Sequence, residues 1–228
     1  MYSFSIVMSD TSLSGSSFGL FFLATTFFIV FSNSNLSNRK IDAEARFKNS
    51  IMYSALYGLG VVLYNLFMNL QVTKSSCGTT QWGTAVYATL FPWVLIFGIL
   101  MMLLELFPGW LTPFSNTFGY LIASFSGVGT IIDQIFKPSS KSNKPEDNGP
   151  VQVALSHIYG NKSLLINEIT TDSFDNFWSG MSSLMLPGAI NNEELKDKLF
   201  SMVALKESAA KWLWYILGGA LVTSVSLN

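Results

Sequence analysis

Hydrophobic and polar residues follow one another in long blocks along this chain. The first apolar block, 18–31, covers only about 21 Å as a helix, against a hydrocarbon core of roughly 30 Å. It therefore recruits residues from Leu13 onward and predicts a span near 13–32. Its hydroxyls are tolerable because Ser and Thr bond back to helix carbonyls. Residues 1–17 contain no Lys or Arg, so an uncleaved span fits better than a signal peptide. A second block, 51–70, holds Tyr53, Tyr57 and Tyr64 and no charge, with Asn65 and Asn69 one helical turn apart on one face. The third, 84–106, contains Pro92 and Trp93 in its first third, and Pro92 predicts a kink. Glu105 near its end reads as a boundary carboxylate that snorkels to the interface.

The apolar run then breaks at Pro108, Gly109 and Pro113, in the stretch ELFPGWLTPFSNTFGY. Phe107, Trp110, Phe114, Phe118 and Tyr120 suit the headgroup layer, the prolines stop the helix, and Ser115 or Asn116 can cap the next helix. Pro108, Gly109, Trp110, Pro113, Phe114, Asn116, Gly119 and Tyr120 are thus the candidate residues of an interfacial elbow. Residues 117–136 are apolar enough to enter a bilayer but carry Ser124, Ser126, Asp133 and Gln134, so they either span or re-enter. Residues 137–150 have the Pro, Ser, Asn and Gly content of a linker. Short helical pieces come next at 151–159 and 173–186, and a third helix begins near Asn191 or Asn192. Leu195, Leu199, Met202 and Val203 form its apolar stripe, whose default use is packing within a small helical body. No breaker separates this helix from a last apolar run, 212–225.

The expected fold is all-α: a multi-pass membrane domain, 1–136, a polar helical region, 137–211, and a C-terminal span, 212–228. Four spans are preferred and five are possible. Short basic loops stay cytoplasmic. With four spans, Lys74 alone among the 13 basic residues falls on the far side.

Composition agrees with a membrane protein: 50% hydrophobic, 12% charged, mean hydropathy +0.40, where a soluble domain carries about 25% charged residues. The formal net charge of −1 gives no polyelectrolyte signal, so nucleic acid is not an expected partner. Cys77 is the single cysteine and His157 the single histidine, which leaves no metal-ligand spacing and no intramolecular disulfide.

The block from Trp82 to Tyr120, a Pro-Trp-containing span, an acidic residue and then FPGWLTPFSNTFGY, resembles multi-pass membrane proteins of large icosahedral double-stranded DNA viruses of eukaryotes. In that group a lipid membrane lies beneath the capsid, and small membrane proteins are linked to the minor capsid layer. The resemblance implies a structural virion protein of the internal membrane, with the bilayer and capsid or minor capsid proteins as partners and without a cofactor. Lys137, Lys141, Lys144, Lys196 and Lys198 are the candidate docking residues. Self-association remains open. No nucleophile motif, phosphate loop or dinucleotide fingerprint appears, so no enzyme is expected. The competing reading is a small channel or transporter lined by Asn65, Asn69, Glu105 and Asp133.

Overall fold

The structure, a computed structural model, describes residues 2–136, 150–160 and 162–226; within these, side chains are described from Ser17 onward, apart from those of residues 151, 152, 154, 155 and 159. Among these residues the regular structure is all helical, with short irregular connections and an isolated bridge between Phe136 and Met185. Three helical stretches are long and apolar enough to cross a membrane: Ser17–Leu36, Ala43–Cys77 and Trp82–Leu106. A fourth candidate is the pair Pro108–Phe125 and Val128–Ile135, bent by 80° at its break. The chain divides into two compact units, each with its own core. One comprises 1–32, 44–111 and 211–228, the other 33–43 and 112–210.

In the first unit, helix α1 (Tyr2–Leu36) is followed by α2 (Ala43–Cys77), α3 (Trp82–Pro92) and α4 (Ile99–Leu106), joined by π-helical residues Trp93–Gly98. The last part of a long C-terminal helix, Glu193–Ser226, completes the bundle from Lys211 onward. Threonines in α1 return their hydroxyls to the helix, Thr25 to the Phe21 carbonyl at 2.7 Å and Thr26 to that of Phe22 at 2.8 Å. Pro92 donates nothing to the Ala88 carbonyl four residues back. The Ser226 hydroxyl donates to that carbonyl instead, at 3.0 Å, and the turn after Pro92 widens into the π-helix.

The core of this unit is aromatic. Phe21 packs on Trp93 and Phe97 with centroids 5.6 and 5.7 Å away, and Tyr57 stacks between Phe28 and Tyr215 at 4.4 and 5.8 Å. Lipid tails are as apolar as these side chains, so close packing rather than hydrophobic transfer holds such a bundle. Gly219 is where the backbone comes closest: a Cβ there would overlap the ring of the buried Phe21.

The second unit contains α5 (Tyr120–Phe125), α6 (Val128–Ile135), α7 (Pro150–Gly160), α8 (Lys162–Glu168), α9 (Phe174–Gly180), α10 (Pro187–Ile190) and the first part of α11 (Glu193–Ser226). Its core gathers Ile132, Ile135, Phe136, Ile166, Phe174, Trp178, Met185, Leu199, Phe200 and Val203. The stripe on α11 therefore packs within this body. Asn192 caps that helix, its Oδ1 accepting the Leu195 N–H at 3.1 Å.

Three sequence expectations change. The elbow restarts its helix at Pro108, with a 3-10 turn Pro108–Leu111 and π-helical Ser115–Gly119, and not at Ser115 or Asn116. Pro108 lacks an N–H that a first helical residue leaves unpaired in any case. The boundary between units falls at 111/112 and not at 136/137, because Ile132, Ile135 and Phe136 bury against the polar region's own helices. Residues 212–226 are the end of one continuous helix, and they are not among the stretches that meet the span criterion. The linker at 137–149 and the extreme C-terminus lie outside the described residues.

Replacing Gly219 by Ala is expected to lower stability by about 1–3 kcal/mol through overpacking. Gly60→Ala, where a Cβ meets open space, is expected to be neutral or stabilising by up to about 1 kcal/mol. Thermal unfolding of both variants in detergent checks the contrast.

Candidate functional site

The most unusual chemistry in the first unit is an ion pair between Glu105 on α4 and Lys211 on α11, with side chains only 12% and 13% exposed. Ser50 and Ser54 stand one turn apart on α2 and so share a face. Ser50 donates to Glu105 Oε2 at 2.8 Å and Ser54 to Oε1 at 2.6 Å. Lys211 Nζ bonds Oε1 as well and lies 3.3 and 3.4 Å from the two serine hydroxyls. One turn along α11, the Tyr215 hydroxyl donates to Ser54 at 3.5 Å, and its ring centroid lies 5.9 Å from Nζ. Glu105 therefore turns inward rather than snorkelling to the interface, because a cation and two hydroxyls meet its charge there.

A second polar cluster closes the other end of the bundle. Asn69 Nδ2 donates to Thr89 Oγ1 at 2.8 Å and to Ser226 Oγ at 3.0 Å, joining α2, α3 and α11. Asn65, one turn below, donates to its own Val61 carbonyl at 2.9 Å, and its Oδ1 has no protein partner. Asp133 belongs to the second unit, where it is paired with Lys162 at 2.6 Å and half exposed. Of the four residues expected to line a path, Glu105 and Asn69 are engaged in protein bonds, Asn65 is partly so, and Asp133 is held elsewhere by its own lysine.

Of the eight elbow residues, Pro108, Gly109, Trp110 and Pro113 are exposed and the rest are partly or fully buried. The Trp110 carbonyl accepts the Trp214 indole N–H at 2.9 Å and the two rings lie 6.4 Å apart. The Pro113 carbonyl accepts Thr117 at 2.6 Å, and Phe114 lies 6.1 Å from Phe118. Pro108 and Gly109 are exposed, Asn116 is half-buried, Tyr120 packs at the edge of the second core, and Gly119 leaves no room for a side chain beside the Lys206 carbonyl. Of the docking lysines, Lys198 is exposed and pairs with Glu194 at 2.6 Å. Lys196 is largely covered, 2.8 Å from Asp175 and over the Trp178 ring. Lys137, Lys141 and Lys144 lie outside the described residues.

Two clusters were not expected from the sequence. Arg39, between α1 and α2, is bonded to Asp197 at 2.9 Å and to Glu193, with Asp175 at 3.8 Å. Its signal is the i, i+4 spacing of Glu193 and Asp197. Lys206 is buried and donates to the carbonyls of Ile166 at 2.7 Å and Ile169 at 2.9 Å, closing the C-terminus of α8. Its signal is a lysine that continues the stripe of Leu199, Met202 and Val203. Burial pulls the Lys206 ammonium below the usual lysine range. Burial likewise pushes the adjacent Glu207 carboxyl up, against the opposing hydrogen bonds from Thr171 N at 3.0 Å and Oγ1 at 2.7 Å.

Among the described residues, no group of three or more His, Cys, Asp or Glu side chains could hold a metal ion. No protein-family model, curated protein or solved structure matches the chain.

Removing one partner of the ion pair, by Glu105→Gln or Lys211→Met, is expected to cost about 3–5 kcal/mol because it strands a buried charge. The double variant is expected to cost clearly less than the sum of the two, as a thermal-unfolding cycle in detergent will read. Glu207 supplies a pH test. Its folded pKa is raised, so above about pH 4.5 the unfolded chain ionises first, and stability relative to Glu207→Gln is expected to fall as pH rises through the raised pKa. Unfolding of both proteins at pH 4 and pH 7 checks the sign.

Proposed function

We propose that this chain is a non-catalytic structural membrane protein whose helical bundle anchors a charged helical body on one face of the bilayer. The observation that carries the reading is Arg39. Its bonds to Asp197 and Glu193 and its approach to Asp175 fasten the loop between α1 and α2 to the polar region. Two segments bonded in this way belong on the same face of a membrane. The chain between them must then cross an even number of times. Helix α2 and the α3–α4 stretch supply two crossings, so the bent pair from Pro108 to Ile135 is a re-entrant elbow. In this reading the C-terminal part of α11, from Lys211, serves as the fourth span although it falls short of the criterion that the other three meet, and Lys211 enters lipid paired with Glu105.

This four-span arrangement keeps Arg39, Lys40, Arg46, Lys48 and the lysines of the polar region together, as the positive-inside rule favours. The charged groups in the bundle are used on one another rather than along a path, which favours anchoring over conduction. Following the resemblance of 82–120, the membrane is the internal bilayer of a virus particle and the partner is a capsid or minor capsid protein. Lys198 and Glu194 are on the exposed face available to it.

Amine cross-linking with mass spectrometry on the native particle or membrane tests the partner. Links from Lys198 or Lys162 to a coat or scaffold protein are expected. Links confined to copies of this chain would overturn the docking role and favour a self-contained oligomer.

A further inference from the structure

The helical run 112–125 of the second unit presents two unlike faces. Ser115, Gly119 and Ala123 recur every four residues and are buried. Gly119 meets the Lys206 backbone so closely that a Cβ has no room, and Ala123 belongs to the unit's core. Small residues at that spacing let two helices approach closely. Phe118, Leu121, Ile122 and Phe125 recur at i, i+3, i+4 and i+7, which is one face of a helix, and all four are exposed, Phe125 at 90%. Elsewhere in this unit the exposed large apolar side chains among the described residues are Val153, Leu164 and Ile190, one each on α7, α8 and α10. Apolar residues exposed singly are ordinary, whereas a contiguous stripe marks a contact.

Four observations identify lipid as that contact. The stripe follows a membrane-length helix that ends at Leu106. The path from there to Thr112, mostly a 3-10 turn, covers about 12 Å, against a headgroup layer of roughly 5–7 Å. The chain carries no charged residue between Glu105 and Asp133, whereas a face that docks a protein is bordered by a polar rim. Thr117, exposed beside the stripe, returns its hydroxyl to the Pro113 carbonyl at 2.6 Å, as a hydroxyl placed in lipid must. The stripe also stops where the chain bends. Beyond Gly127, α6 turns Val128, Ile132 and Ile135 into the unit's core and pairs Asp133 with Lys162.

We propose that residues 112–125 lie along the membrane surface with Phe118, Leu121, Ile122 and Phe125 inserted among the acyl chains, to the depth of about 5–10 Å that an interfacial helix reaches. The stripe then holds the charged helical body on the bilayer directly. This rests on the membrane-anchored reading above and narrows the elbow: its first half enters lipid shallowly, and its second half stays in the protein core.

The test uses the full chain with Cys77→Ser in phosphatidylcholine vesicles, with a nitroxide on one introduced cysteine at a time. Collision rates are measured with oxygen, which concentrates in lipid, and with a water-soluble nickel chelate. Phe118→Cys, Leu121→Cys, Ile122→Cys and Phe125→Cys are expected to collide more with oxygen than with nickel, as is Leu63→Cys, an exposed position within the second span. Leu164→Cys, exposed on α8, is expected to show the reverse. A Phe125→Cys label as open to nickel as that at Leu164→Cys overturns the proposal. So does a label shielded from both reagents, which puts a second copy or another protein on the stripe. Labels that deepen steadily from 118 to 125 toward the bilayer centre overturn it too, since the segment then spans. The membrane reading is scored separately, and nickel access at Leu63→Cys overturns it. An impermeant maleimide added to one side of sealed vesicles is expected to reach Lys40→Cys and Leu164→Cys together; reaching them from opposite sides overturns the four-span arrangement and leaves a lipid-exposed stripe intact.

Discussion

A carboxylate and an ammonium that leave water together must stay together, and the first unit is arranged around that requirement. Neither Glu105 nor Lys211 can face hydrocarbon alone without a cost of several kcal/mol. Their pairing fixes the rotation of α4 against α11, and the two serines one turn apart fix α2 against both. Fifteen residues further along α11, about 22 Å at the helical rise, Ser226 and Asn69 make a second fixed point with Thr89. Polar bonds set the register at both ends of the bundle, and an aromatic middle fills the space between. Hydrophobic transfer cannot choose a register inside lipid, so the choice falls to groups that have no alternative partner there.

The same need for partners explains features that look like defects. A proline inside a membrane helix frees a carbonyl, and here a serine from the last turn of another helix occupies it. Lys206 in the second unit acts similarly on a helix end, covering carbonyls that α8 leaves unpaired. In each case a side chain distant in sequence repairs a backbone deficit made by local chemistry. This also explains why a buried lysine is tolerated: its N–H donors meet carbonyls in place of water.

The periodicity that makes the chain helical and membrane-bound is local, and it was legible. The apolar blocks, the Asn192 cap and the stripe of Leu195, Leu199, Met202 and Val203 each involve residues within a turn or two of one another. The pairing of Glu105 with Lys211 and of Arg39 with Glu193 and Asp197 was not legible, because each joins residues more than a hundred positions apart; the i, i+4 spacing of Glu193 and Asp197 marks an acidic face but does not name the arginine that meets it. Glu105 at the end of an apolar run has the same sequence whether it turns to the interface or to a lysine on another helix. Lys206 is intermediate: its position on the apolar stripe marks it as buried, but nothing nearby shows that carbonyls of α8 receive it.

The break at Gly127 shows how a local and a distant cause combine. Gly127 adopts φ +93°, in the left-handed region where L side chains are strained, so the helix from Pro108 ends there on local grounds. The helix beyond it is amphipathic: Val128, Ile132 and Ile135 are buried in the second core while Asp133 reaches Lys162. A straight continuation would part Asp133 from Lys162 and take Ile132 and Ile135 away from Phe174 and Phe200. The bend thus gives the apolar side of this helix a specific core and its carboxylate a paired lysine.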